Sequence, residues 1–363
     1  MSSKQDTIKK IQAVALNIKA RVEEGQAPVL KTPIRSLSNV TYNEQEGYFM
    51  LGDSTKDRQL TANTIKTFAQ TVLLLNEAKG VVESDDIMTK REAYYVSKNW
   101  GDAKFNEQPE SDNVMDDIEA MLGVLREALG FIPEEDGGAV AGALTIIDED
   151  PSTGEKIEIN CRKFGSGAYN IPSDVEELTF ETDAKFILAI ETAGMFQRLV
   201  KHKFYDEHNC ILVSLKGVPS RATRRFVRRL SDAKKLPVYV FVDNDPYGHT
   251  NIYRTFKVGS GNSAHVNEFF CVPNAQLIGV TPQDVIDYDL PTHNLKDVDI
   301  KRAKDALKND PFIKKHKQWQ QALKLMLKEG KRSEQQSLAK HGLNFVIEKY
   351  LPEKLKKPDT WLP

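Results

Sequence analysis

Four short stretches in the second half of the chain are apolar almost without interruption: "KFILAIE" (185–191), "CILVSLKG" (210–217), "PVYVFVD" (237–243) and "EFFCV" (268–272). Each reads as a strand buried on both faces. The segments between them, "TAGMFQRLVKHKF", "SRATRRFVRRLSDAKK" and the shorter "HTNIYRTFK", carry apolar residues at helical spacing. Buried strands alternating with helices predict a doubly wound parallel sheet with helices on both faces.

The first half has a different texture. Residues 4–24 read as an amphipathic helix, residues 34–60 as a strand pair with polar turns, and Thr61–Lys79 as a helix with "TVLLL" inside. A helix begins near Thr89. Another is predicted over Asp112–Leu129, where Val114, Ile118, Met121, Leu122, Leu125 and Leu129 share a face. The stretch "DEDPSTGE" then reads as the turn of a β-hairpin. Helices followed by a hairpin follow the order of a winged helix. Residues 165–182 read as a linker, and the chain beyond Asp299 as mostly helical.

The pattern therefore predicts an α/β (α+β, multi-domain) protein. The divisions are an N-terminal extension over 1–70, a winged-helix domain over 71–164, the linker, and a sheet domain with C-terminal helices over 183–363.

Composition changes this picture little. The chain has 363 residues, 28% charged and 40% hydrophobic, with a net charge of −2. That is the profile of an ordinary globular protein, and any nucleic-acid surface must come from uneven charge. Lys301–Pro363 is one uneven region, with 16 Lys and Arg against 7 Asp and Glu. The three cysteines are far apart, with no CxxC pair, which argues against zinc or a disulfide framework and fits a reducing cytoplasm. The start, "MSSKQDTIKKIQ", lacks the apolar core of a signal peptide, and no apolar run approaches membrane-spanning length.

Candidate chemistry centres on "VYVFVDNDPYGH" (238–249). Ligands of doubly wound sheets sit at the carboxyl ends of the strands. Glu191 closes the first strand, Asp243 the third, and Asp245 follows. If those strands are neighbours, three repelling carboxylates meet at one edge, and Mg²⁺ with its preference for oxygen ligands would relieve them. Alternatively, the two aspartates cap a helix or form an Asx turn.

On the intervening helix Arg221, Arg224, Arg225, Arg228 and Arg229 fill an arc of about 140°. No acidic partner four residues on is expected to neutralise them. The stripe is either a solvated face or, with Lys216 just before it, a surface for phosphates.

"TKREAYYVSKNW" (89–100) matches a capping box, Thr89 with Glu92. Tyr94 and Tyr95 follow in the first turns, about 100° apart, so only one can sit at a reaction centre. Arg91 shares the face of Tyr95. Adjacent tyrosines are either packing residues or, beside a cation that stabilises phenolate, a nucleophile.

Six blocks, "REAYY" (91–95), "AYNIPSDVE" (168–176), "LAIETAGMFQRL" (188–199), "KGVPSRATRRFVRRL" (216–230), "VDNDPYG" (242–248) and "EKYLPEKL" (348–355), give the chain its resemblance to a family. Over nearly its whole length it resembles the A subunits of type IIB topoisomerases (DNA topoisomerase VI). It is more distantly similar to the meiotic double-strand-break transesterase.

The resemblance implies a CAP-like domain whose Tyr95 is the nucleophile with Arg91 in support. It also implies a Toprim domain whose Glu191, Asp243 and Asp245 bind Mg²⁺. The lysine or glycine that follows the acidic strand in many Toprim sequences is Thr192 here. The implied reaction is transesterification to a 5′-phosphotyrosine on double-stranded DNA. A homodimer would carry it out, each site joining the tyrosine of one protomer to the metal of the other. The chain contains no GxxxxGK[ST] and no GHKL signature, so the ATP would be bound by a partner B subunit in an A2B2 heterotetramer, with residues 4–24 either a docking element for it or a solvent-exposed helix.

Three further readings stay open: a break-forming enzyme without strand passage, a Toprim nuclease or primase without a covalent intermediate, and a non-catalytic DNA-binding scaffold.

Overall fold

The computed structural model describes residues 3–133, 137–150 and 152–363. It divides into two compact units: Met1–Thr41, Met50–Glu135 and Gly261–Val266 form the first, and Tyr42–Phe49, Asp136–Ser260 and Asn267–Pro363 the second.

Helices dominate the first unit. Lys4–Glu23, Ile65–Ser84 and Gln108–Leu122 contribute Ile11, Leu74, Leu75, Ala78, Val114, Met115 and Ile118 to one core, with Phe105 and Phe131. The predicted helix over Asp112–Leu129 stops early, at Leu122. Gly123 adopts φ +58°, the left-handed cap that suits glycine, and Arg126–Leu129 is a separate 3₁₀ turn. Strands Val29–Pro33 and Thr55–Gln59 pair antiparallel.

Beneath them Asp117 is a buried electrostatic hub. Arg35 contacts it at 2.7 Å, Lys56 at 3.2 Å, and Arg58 bonds the same carboxylate. Burial pushes the Asp117 carboxyl up, but the three cations outweigh it and hold it below the usual range.

The second unit is built on a six-stranded sheet in the order Tyr169–Asn170, Ala139–Gly142, Ile211–Ser214, Ile187–Ile190, Val238–Phe241, Ala275–Gly279. The last four pair in parallel and the first two are antiparallel additions. The wholly parallel sheet predicted from the pattern is therefore mixed.

Two other expectations are corrected here. "EFFCV" is not the fourth strand: Asn267–Phe270 is helical and Ala275–Gly279 takes that place. An apolar run this short cannot by itself distinguish helix from strand. The hairpin Thr145–Glu149 with Lys156–Asn160 belongs to the second unit, where Thr179–Glu181 of the supposed linker completes a three-stranded sheet.

Strand alternation sends Leu188, Ile190 and Leu212 into one core cluster. They pack there with Met195, Phe196 and Leu199 of helix Ala193–Lys201 and with Val346, Ile347, Tyr350 and Leu351 near the C-terminus. No helix among the described residues is long and apolar enough to cross a membrane.

Candidate active site

The strand Ile187–Ile190 lies between its two parallel neighbours. The chain steps from it to Ile211–Ser214 on one side and then to Val238–Phe241 on the other. That reversal is a topological switch point, where loops diverge and leave a crevice at the carboxyl ends. Ile190 pairs with Phe241, so Glu191 and Asp243 leave adjacent strands almost level.

Their backbones and side chains interlock. The Glu191 N–H donates to the Phe241 carbonyl at 3.0 Å, and the Asp243 N–H donates to Glu191 Oε2 at 2.8 Å. Asp245 accepts the Gly248 N–H at 2.6 Å. Gly248 also marks how closely the acids converge. A Cβ placed there would lie 3.4 Å from both Glu191 Oε2 and Asp245 Oδ1, and 2.7 Å from the Asp243 carbonyl.

Burial and mutual repulsion disfavour ionisation of all three. Burial, then the charge of Asp243, pushes the Glu191 carboxyl up to about 8. Burial pushes Asp243 up to about 6, opposed by its bond from the Gln335 N–H and reinforced by the charges of Asp245 and Glu334. Asp245 is raised by burial and by Asp299. Arg332 is the cation that acts on both aspartates.

The donor set is therefore all oxygen and resists ionisation unless a positive charge lies beside it, which suits a hard divalent cation. Among the described residues no group of three or more His, Cys, Asp or Glu side chains is placed so that it could by itself hold a metal ion. Mg²⁺ commonly takes one or two carboxylates and completes its shell with water and phosphate, so an open edge is compatible with it.

The two tyrosines belong to the first unit. Thr89 Oγ1 accepts the Glu92 N–H at 3.1 Å, and Glu92 accepts the Thr89 N–H at 2.7 Å. This capping box starts the helix Lys90–Val96. The Tyr94 hydroxyl donates to the Asn106 carbonyl at 3.1 Å, and Lys98 sits 3.8 Å from its ring centroid. Tyr95 is 56% exposed, and its ring meets the edge of Tyr94. Arg91 is exposed on the same helix.

The arginine stripe departs from the sequence reading. Arg228 pairs with Asp232, an acidic partner four residues on, and Arg225 forms a bidentate pair with Glu176, its second bond 2.8 Å long. Arg225 and Arg228 also donate to the Phe269 and Cys271 carbonyls at 3.2 and 2.9 Å, and Arg229 to that of Val175. Arg221 and Arg224 stack on the Phe270 ring. The helix thus uses its guanidinium face to bind segments 175–176 and 269–271 of its own unit. Lys216 is exposed just beyond the end of strand Ile211–Ser214, and the next residue, Gly217, donates its N–H to the Glu191 carbonyl at 3.0 Å. The Lys216 ammonium donates to the Gly137 carbonyl at 3.1 Å.

Sequence reasoning missed Gln335, Glu334 and Arg332, which approach the acids from about 90 residues beyond Asp243. Nothing local in "KRSEQQS" signals that return.

Comparison with known proteins matches this architecture. Residues 186–355 match the Toprim domain of the topoisomerase 6 A subunit/Spo11 group, residues 134–184 the all-beta domain of the DNA topoisomerase VI alpha subunit, and residues 66–131 the type IIB DNA topoisomerase family. The A subunit of type 2 DNA topoisomerase 6 from Methanocaldococcus jannaschii is 58% identical over 98% of this chain and 95% of its own length. Those from Methanothermobacter thermautotrophicus and Archaeoglobus fulgidus are each 40% identical, over 98% and 95% of this chain and 99% and 95% of their own lengths. Fold and matches together define a DNA-cleaving catalytic subunit of the type II topoisomerases. Within that class the chain belongs to the family of DNA topoisomerase 6 A subunits.

Proposed function

We propose that this subunit cuts duplex DNA by transesterification with Tyr95 as nucleophile. The observation that carries the reading is the unequal state of two adjacent tyrosines: Tyr94 is held by a carbonyl and a lysine, while Tyr95 projects 56% exposed from a capped helix. The phenol oxygen of Tyr95 forms a bond to a backbone phosphorus. The P–O3′ bond breaks, the phenol proton is lost to solvent, and the 3′ oxygen takes a proton from solvent and leaves as a hydroxyl. The 5′ end remains joined to Tyr95, and the reverse step reseals the strand. Arg91, four residues earlier on the same helix, would set its positive charge against the charge that develops on the phosphate.

Glu191, Asp243 and Asp245 would hold Mg²⁺, which when bound stabilises charge on the phosphate. Lys216 offers an ammonium to the DNA backbone beside that edge, and Arg221, Arg224, Arg225 and Arg228 support the same wall from behind. Each chain brings one nucleophilic tyrosine, so cutting both strands takes a homodimer, with Tyr95 of one protomer serving the acidic edge of the other. The first unit, which carries Tyr95, acts as the DNA-binding domain. ATP-dependent strand passage would draw on a GHKL-type B subunit in an A2B2 assembly.

The test is covalent trapping on end-labelled duplex DNA with ATP and the B subunit present. Denaturation leaves protein on the 5′ end with the parent and Tyr94→Phe, and none with Tyr95→Phe. An adduct that survives in Tyr95→Phe and disappears in Tyr94→Phe overturns the assignment.

A further inference from the structure

We propose that Gln335 is a positioning residue for the acidic edge, clamping the Glu191 and Asp243 strand ends into one unit; this rests on the metal role proposed for those acids. Gln335 is fully buried, and it commits its backbone N–H and both ends of its amide to the two strand ends. The backbone N–H donates to Asp243 Oδ1 at 2.8 Å. The side-chain Nε2 donates to the Phe241 carbonyl at 2.6 Å, the same oxygen that accepts the Glu191 N–H. The side-chain Oε1 accepts the Thr192 hydroxyl at 2.8 Å.

The path from Glu191 through Thr192, Gln335 and Asp243 back to Glu191 is therefore closed by hydrogen bonds. One amide side chain reads the residue after one acid and the residue two before the other. The segment carrying Gln335 is fixed independently. Asn244 and Ser333 exchange backbone bonds at 2.8 and 3.0 Å, and Lys331–Arg332 pairs with His293–Asn294.

A group that orients carboxylates without itself facing the ligand tunes affinity through geometry, and losing such a partner typically costs about 10–100-fold in metal affinity. Thr192 acquires a role in the same way. Its hydroxyl is the group after Glu191 that holds the clamp.

The experiment is Mn²⁺ titration by calorimetry on the full-length chain, with the metal-free thermal midpoint measured alongside. Gln335→Met keeps the length of the side chain and deletes both amide bonds. It is expected to weaken Mn²⁺ binding about tenfold or more and to raise by a similar factor the Mg²⁺ concentration that half-saturates adduct formation. Thr192→Val is expected to act in the same direction without touching Gln335, and Thr192→Ser to restore parent affinity. Should Gln335→Met fail to fold, the Thr192 pair carries the test.

Parent-like Mn²⁺ affinity in both Gln335→Met and Thr192→Val, with only the thermal midpoint lowered, would make Gln335 purely structural and overturn the proposal. Parent-like affinity in Glu191→Gln as well would instead remove the metal reading itself, and the clamp's role with it.

Discussion

Glu191→Gln is expected to stabilise the metal-free protein while removing its response to metal. In the folded chain burial and the neighbouring acids push the Glu191 carboxyl up to about 8, against an ordinary 4.5. Between those values the folded state holds a proton that the unfolded chain has released. By linkage, the stability of the metal-free protein falls as pH rises from about 4.5 to about 8. At about 1.4 kcal/mol per pH unit the full gap caps the penalty near ~5 kcal/mol.

The charge is shared with Asp243 and Asp245, and repulsion remains after one is neutralised, so a gain of about 1–3 kcal/mol at pH 8 is expected. The glutamine keeps an oxygen for the Asp243 N–H, so that 2.8 Å bond survives. The assay is urea unfolding of parent and variant in EDTA from pH 5 to 8.5, repeated with Mg²⁺. The two curves should coincide near pH 5 and diverge toward pH 8, the variant more stable, and Mg²⁺ should raise only the parent. A variant less stable than the parent at pH 8, or a parent whose stability does not fall across that range, would refute the reasoning.

Three other outcomes follow from the contacts of the folded chain. Tyr94→Phe should cost about 0.5–1.5 kcal/mol, the worth of one hydrogen bond, in thermal denaturation while adduct formation persists. Lys216→Ala should reduce the slope of log affinity against log salt by about one in DNA-binding titrations, whereas Arg225→Ala should leave that slope unchanged and lower stability, because its guanidinium is committed to Glu176. Asp117→Asn leaves Arg35, Arg58 and Lys56 without their shared carboxylate and should destabilise the chain by about 3–5 kcal/mol in chemical denaturation.

The parts of the fold that were legible in the sequence are those decided by local chemistry. Thr89 with Glu92 marked a helix start because the reciprocal bonds need only residues three apart. The three apolar strands Ile187–Ile190, Ile211–Ser214 and Val238–Phe241 were legible because burial on both faces demands unbroken apolar runs. The pattern failed where the deciding partner was distant. Nothing in "EFFCV" tells that Ala275–Gly279 competes for the same sheet edge. Nothing in "TIIDEDPSTGEKIEIN" tells that its hairpin joins Thr179–Glu181 rather than the preceding helices. Asp232 is a different kind of miss: it stands four residues from Arg228 on one helix, the ordinary spacing of an ion pair, and was readable.

The candidate site divides along the same line, which explains why its acids were found and its supports were not. Glu191 and Asp243 announce themselves because each ends an apolar run, and Asp245 stands two residues on; a charge at a buried strand end needs a reason. Gln335, Glu334 and Arg332 sit in a polar stretch where one more polar residue is unremarked, and they reach the crevice only because Ser333 and Asn244 bridge across the chain. Supports of this kind are set by tertiary return rather than by pattern, and they adjust the site without carrying its chemistry. The acids fix what the edge can hold. The returning segment fixes how far apart their oxygens sit, so changes in Gln335 or Thr192 should move metal affinity by graded amounts where changes in Glu191 or Asp243 abolish it.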